Sequence, residues 1–191
     1  MLEIRIHGRG GQGNVVAAYL LADAASRARR HCQAFPAFGA ERRGAPVTAF
    51  VRIARRPILR RDAVKTPGFL IVQDATLLHE PDLAAGLLPG GGILVNTTLD
   101  AGEIRRRHGL EVVALPASAL AERHLGRRLP NVALLGAFLA LTRLLPMNAL
   151  SEAIAVRFAA KNPEQNIALA TAAAACVAAG AWKEKADAAG A

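Results

Sequence analysis

The chain opens on strict alternation. Leu2, Ile4 and Ile6 are apolar, while Glu3, Arg5 and His7 are polar. A period of two marks a strand with one buried face. Glycines stand at 8, 10, 11 and 13, and the period then changes. Asn14–Ala28 is rich in Ala and Leu at helical spacing and runs into Arg29 and Arg30, cations that favour a helix C-terminus. The opening is therefore strand, glycine loop, helix. Cys32–Phe35 predicts a short strand, Pro36–Pro46 a polar glycine-containing loop, and Val47–Ile53 an alternating strand. The apolar runs Phe69–Val72 and Ile93–Val95 suit parallel strands buried on both faces. Between them, Glu80–Leu88 reads as a helix stopped by Pro89–Gly92, and Glu111–Leu115 is a further strand.

After Pro116 the pattern becomes helical. Helices are predicted over Ser118–Leu125, Val132–Leu145, Ala149–Ala159 and Pro163–Ala179, with Ser118 and Ser151 as candidate N-caps. From Lys183 the chain is polar and Ala/Gly-rich, so residues 183–191 are expected to fray. The expected fold is a single α/β domain over residues 1–182. It is a mostly parallel, Rossmann-like sheet with helices on both faces and a helical C-terminal third.

Composition sharpens this in three ways. Apolar residues make up 52% of the 191 positions but aromatics only 4%, so Ala, Leu and Val must build the core. The net charge of +9 comes from an arginine excess and suggests an anionic partner. Nucleic acid would call for aromatic stacking platforms among the basic residues; the one Trp and one Tyr lie in no basic cluster. Finally, Cys32 and Cys176 are far apart. They form no metal-ligand spacing, cannot hold an iron–sulfur cluster alone, and read as small buried hydrophobes. No signal-peptide pattern or bilayer-length apolar run is present, so a soluble, cytoplasmic chain without a membrane span is expected.

Gly8-Arg9-Gly10-Gly11-Gln12-Gly13 is the first candidate for chemistry. Glycines let a backbone turn tightly and bring amides to an anion at a helix N-terminus. The spacing also fits dinucleotide folds, which want a ribose-binding acid roughly 20 residues on. Residues His31–Phe35 contain no carboxylate, and this argues against NAD. Arg9 suits a phosphate or carboxylate partner, or a salt bridge. The second candidate is Gln33–Val47, where Phe35 and Phe38 flank a tip bearing Glu41, Arg42, Arg43 and Gly44. Apolar anchors beside adjacent arginines present charge from a fixed position. His7 reads as a loop contact and Arg105–His108 as a solvated helix end or partner contact. No nucleophile–base arrangement appears, so no catalytic residue and no metal ligand is assigned.

Taken in order, these segments resemble the gamma subunit of pyruvate:ferredoxin-type 2-oxoacid oxidoreductases. The resemblance rests on Gly8–Gly13 with its helix and on Phe35–Val47. It continues through Asp74 with Leu77–Leu78, Gly91–Asn96 with Thr97–Thr98, Asn131–Gly136, and Lys161–Ala168 with Asn162 and Asn166. Glu41-Arg42-Arg43-Gly44-Ala45-Pro46 resembles the pyruvate type more than the indolepyruvate type, which tends toward Arg-Gly-Gly. Ala37 and Ala40 depart from the acidic and proline residues frequent there, leaving room for an aryl 2-oxoacid such as phenylglyoxylate.

The resemblance implies a subunit of an enzyme that oxidatively decarboxylates a 2-oxoacid to its acyl-CoA. Thiamine diphosphate, Mg²⁺ and [4Fe-4S] clusters would lie in partner alpha, beta and delta chains. Electrons would pass to ferredoxin or to an NAD(H)-linked flavoprotein subunit. This chain would help bind coenzyme A. Gly10, Gly11 and Gly13 would offer amides and Gln12 would lie between them. Arg42 or Arg43 would add charge-assisted contacts, with Asn96 and Thr97 as polar candidates; alternatively the two arginines would dock a partner subunit, and the chain would hold the complex together. Two other classes stand beside this one: a free-standing Rossmann-like nucleotide-binding module, and a basic nucleic-acid-binding protein.

Overall fold

The computed structural model describes residues 1–37 and 45–190. Six strands form one sheet: β1 (Leu2–Arg9), β2 (His31–Pro36), β3 (Pro46–Ala54), β4 (Phe69–Val72), β5 (Gly92–Asn96) and β6 (Val113–Leu115). Their order is β2-β3-β1-β4-β5-β6. β4, β5 and β6 continue the sheet from β1 in parallel. β3 runs antiparallel to both β1 and β2. The mostly parallel sheet was legible in the sequence; the antiparallel insertion was not, because a period of two is the same in either direction.

The side-chain alternation divides the core. On one face Leu2, Ile4, Ile6, Ala49, Val51, Ile53, Phe69, Ile71 and Leu94 point into the larger cluster. It is covered by α1 (Asn14–Arg27), α3 (Ala117–Leu125), α4 (Asn131–Thr142), α5 (Met147–Arg157) and α6 (Pro163–Ala175). α4 is buried almost all round, which explains why it is apolar all round. On the other face Leu70, Val72, Ile93 and Val95 meet Leu77, Leu78, Leu83 and Ile104. Ile104 belongs to α2 (Ala101–His108); Leu77 and Leu78 belong to a 3-10 turn, Ala75–His79.

Several expectations require correction. Glu80–Leu88 is not a helix but a run of turns, with amide-to-carbonyl bonds from Leu83 to Glu80, Ala85 to Asp82 and Leu87 to Ala84. Arg5 takes the Leu83 and Ala85 carbonyls at 2.9 and 2.7 Å, acceptors a helix would use internally. Gly86 sits at φ 74°, and a Cβ there would lie 2.0 Å from the Lys65 carbonyl oxygen. Pro81 removes a donor as well.

Neither serine caps its helix. The Ser118 amide bonds the side chain of Asn96, and Ser151 lies inside α5, donating to the Met147 carbonyl at 3.2 Å. Residues beyond Lys183 do not simply fray. α7 (Lys183–Ala188) follows Trp182, whose ring stacks on Phe69 at 5.4 Å. Ala186 is buried, and Lys185 Nζ donates to the Gly91 carbonyl. Burial of one aromatic outweighs the weak helix signal of a short polar tail. Cys176 is exposed, whereas Cys32 is half-buried and packs against the core.

Candidate functional site

After β1 the chain crosses to one face of the sheet, into α1; after β4 it turns to the other, into the 3-10 turn. β1 and β4 are adjacent and parallel. The chain thus leaves their C-terminal ends in opposite directions, which opens a crevice at that point. The glycine loop forms one wall.

A network ties the two walls together. The Arg9 amide donates to Gln12 Oε1 at 2.8 Å, and Gln12 Nε2 donates to Asp74 Oδ2 at 2.9 Å. Arg9 Nε lies 3.4 Å from Asp74 Oδ2, and the Arg9 guanidinium also donates to Thr76 Oγ1 at 2.8 Å. Asp74 Oδ1 caps the 3-10 turn by accepting from the Thr76 amide and hydroxyl. Burial pushes the Asp74 carboxyl upward. The bonds from Thr76 and Gln12 and the Arg9 charge outweigh it, holding Asp74 below its ordinary value.

The predicted residues therefore separate. Gly10 donates to the Ala45 carbonyl at 3.0 Å, joining the glycine loop to the residue before β3. Gln12 has both ends of its amide in the network and is a positioning residue. Gly11 is exposed, and Gly13 precedes α1 at φ 79°. Among the described residues, no acceptor takes either amide. No acidic residue stands in the first turn of α1. Asn131, at the start of α4, lies against Gly13; a Cβ on Gly13 would be 2.6 Å from Asn131 Nδ2. Arg42 and Arg43 lie outside the described residues.

Asn96 ends β5, one strand further along, and Thr97 follows it. Asn96 Nδ2 donates to the Gln73 carbonyl and Ser118 Oγ, and its Oδ1 accepts from the Ser118 amide. That amide group stitches β4, β5 and α3 together and faces inward. Asn96→Ala is expected to lower the unfolding free energy by about 2 kcal/mol, since it orphans partly buried groups; chemical denaturation measures it. Thr97 donates its amide to the Leu115 carbonyl, and its hydroxyl oxygen accepts from the Leu99 amide.

His7 departs from the expected loop contact. It lies within β1, with Nδ1 3.4 Å from Thr48 Oγ1 and Nε2 buried without a hydrogen bond. Burial, then the nearby Arg5 charge, lowers its pKa to about 4. The unfolded chain takes up this proton near pH 6.5, whereas the folded one resists until about 4. Stability from His7 is thus present above pH 6.5 and is lost as pH falls through that window. A ring-proton NMR titration is expected to show a midpoint near 4, and His7→Phe is expected to flatten the stability profile there. Nothing in the period-two pattern signalled this environment, because Thr48 and the neighbouring Glu80–Leu83 come from segments distant in sequence. Gln73 was missed for a similar reason. Its side chain is fully buried and, among the described residues, both polar ends are unpaired, yet in sequence it reads only as the residue after a strand.

Fold and crevice together define a doubly wound α/β protein with a glycine loop at its switch point. The model of the pyruvate ferredoxin/flavodoxin oxidoreductase family matches residues 3–176. The chain is 47% identical over 154 residues to a pyruvate synthase subunit PorC of Methanosarcina barkeri, covering 81% of this chain and 85% of that one. It is 42% identical over 170 residues to the pyruvate/ketoisovalerate oxidoreductases common subunit gamma of Thermococcus kodakarensis, covering 87% and 91%. The crystal structure of pyruvate oxidoreductase subunit PORC from Thermotoga maritima superposes with a TM-score of 0.81 at 35% identity, covering 91% and 95%. The chain belongs to the pyruvate ferredoxin/flavodoxin oxidoreductase family, as a gamma-type subunit of a multi-subunit oxidoreductase. No helix among the described residues is long and apolar enough to cross a membrane.

Proposed function

We propose that the enzyme to which this subunit belongs oxidatively decarboxylates a 2-oxoacid to its acyl-CoA, and that this chain holds the phosphates of coenzyme A in the switch-point crevice. The observation that carries the proposal is that, among the described residues, no acceptor takes the amides of Gly11 and Gly13, at the N-terminus of a helix with no acid in its first turn. Such a terminus favours an anion by about 1 kcal/mol, and the Arg9–Gln12–Asp74 network holds its shape beforehand. Thr97 supplies a weaker polar contact. A 2-oxoglutarate:ferredoxin oxidoreductase from Magnetococcus marinus, solved with coenzyme A and succinyl-CoA bound, shares this fold at a TM-score of 0.75 and 22% identity; the match covers 93% of this chain and 32% of that longer one.

The reaction's own cofactors are assigned to partner chains. Among the described residues no group of three His, Cys, Asp or Glu could hold a metal ion, and the two thiols are separate. Thiamine diphosphate with Mg²⁺ and [4Fe-4S] clusters are assigned to the alpha, beta and delta chains, with electrons leaving to ferredoxin or an NAD(H)-linked flavoprotein. The chain then has no redox activity alone.

Arg42→Ala with Arg43→Ala in the assembled complex is expected to raise the Michaelis constant for coenzyme A about tenfold, the loss of one charge-assisted contact. An unchanged constant in an intact complex would refute the assignment. Loss of assembly would instead place these arginines at a subunit boundary.

A further inference from the structure

We propose that the open edge of the sheet at β2 docks an acidic, extended segment of another subunit, with an apolar side chain seated against Phe35 and Phe50. The proposal rests on the chain's place in a multi-subunit oxidoreductase. It concerns a surface separated from the glycine loop by β3.

β2 is an edge strand, so one row of its backbone donors and acceptors has no strand partner among the described residues. Beside it lies a groove of about 710 Å³, lined by Gln33, Phe35, Pro36, Phe50, Arg61 and Ala63. The Phe35 ring is held in place before any partner arrives. It sits 5.3 Å from the Phe50 ring and 5.6 Å from the Arg52 guanidinium. Arg52 in turn is fixed by Glu3 at 2.7 Å and Asp62 at 3.2 Å. Rigid aromatic anchors of this kind dominate interfaces, because little freedom is lost on contact. Leu59, on the strap that follows β3, is 89% exposed.

Charge names the partner. Arg29 and Arg30 precede β2, Arg55 and Arg56 follow β3, and Arg61 lines the groove. Among the described residues no carboxylate is in ion-pair contact with any of the five. Asp62 serves Arg52 and Arg60 instead, and Asp187, beside Arg55 and Arg56, makes no ion pair. Much of the +9 excess therefore gathers at one edge, and an acidic segment complements it. Nucleic acid fits less well, since stacking bases need several open rings and here a single Phe pair is offered.

The test uses the complex co-expressed from its own subunits. Arg55→Glu, Arg56→Glu and Arg61→Glu together are expected to abolish co-elution of this chain with the other subunits at physiological salt. The thermal midpoint of the isolated chain should stay unchanged. In the otherwise native complex, Phe35 replaced by a photoreactive benzoylphenylalanine is expected to cross-link a segment rich in Asp or Glu from another subunit. Co-elution unaffected by the three reversals overturns the proposal. So does a cross-link to a second copy of this chain, to nucleic acid, or to nothing. If the native chain itself fails to co-elute with any subunit, the complex-level reading falls first.

Discussion

Glu3→Ala is expected to lower the unfolding free energy by about 3 kcal/mol, a large share of a typical domain's stability. Arg52 has no exposed surface and Glu3 only 6%, and the two meet at 2.7 Å. Bringing both charges out of water is costly, and each offsets the other's cost inside. Removing the carboxylate leaves a buried guanidinium whose remaining partners are the partly exposed Asp62 and Gln33. Those contacts keep the loss at the lower end of the range for a broken buried pair. The test of mechanism is the double variant Glu3→Leu with Arg52→Met. If the damage comes from an uncompensated charge, the double variant recovers most of the loss in urea unfolding. If it comes from lost packing, the double variant is no better than the single one. Because Arg52 supports the Phe35 ring, Glu3→Ala is also expected to weaken attachment at the β2 edge.

Gly136→Ala is expected to cost about 2 kcal/mol despite its favourable helix propensity. A Cβ at 136 would lie 2.1 Å from the carbonyl oxygen of Ala170. That atom is backbone of α6 and has no rotamer to escape into, so α4 and α6 must separate. Overpacking of this kind costs about 3 kcal/mol, and replacing a mid-helix glycine returns about 1. Equilibrium denaturation measures the net loss. A stabilised variant would show that the two helices are not in contact as described.

Gly136 illustrates what a sequence does and does not carry. Within Asn131–Thr142, composition shows a helix apolar all round and hence central. That the glycine faces Ala170 is invisible, since the contact joins residues from two helices whose crossing point no local pattern records. The same boundary runs through the candidate site. Gly8–Gly13 was legible as a turn between strand and helix, because glycine content and the change of period are local. That Gln12 holds the loop to Asp74, and that Gly10 bonds the Ala45 carbonyl, depends on which strands become neighbours. Asn96 was expected to face a ligand from its place at a strand end; its bonds to Gln73 and Ser118 turn it inward.

The sequence by itself determined the opening elements and the family. Alternation set β1, the Ala/Leu periodicity set α1, and the order of Gly8–Gly13, Phe35–Val47, Asp74 and the asparagine-bearing helices marked the gamma-type subunit. These are short-range signals, written in neighbouring residues. Tertiary structure alone decided the antiparallel place of β3, the turns over Glu80–Leu88 and the burial of His7. It alone set Arg29 and Arg30, before β2, near Arg55 and Arg56, after β3, by pairing His31 with Ala54. Each of these arises when segments far apart in the chain share one surface, where sterics, desolvation and charge act between residues that no local periodicity connects.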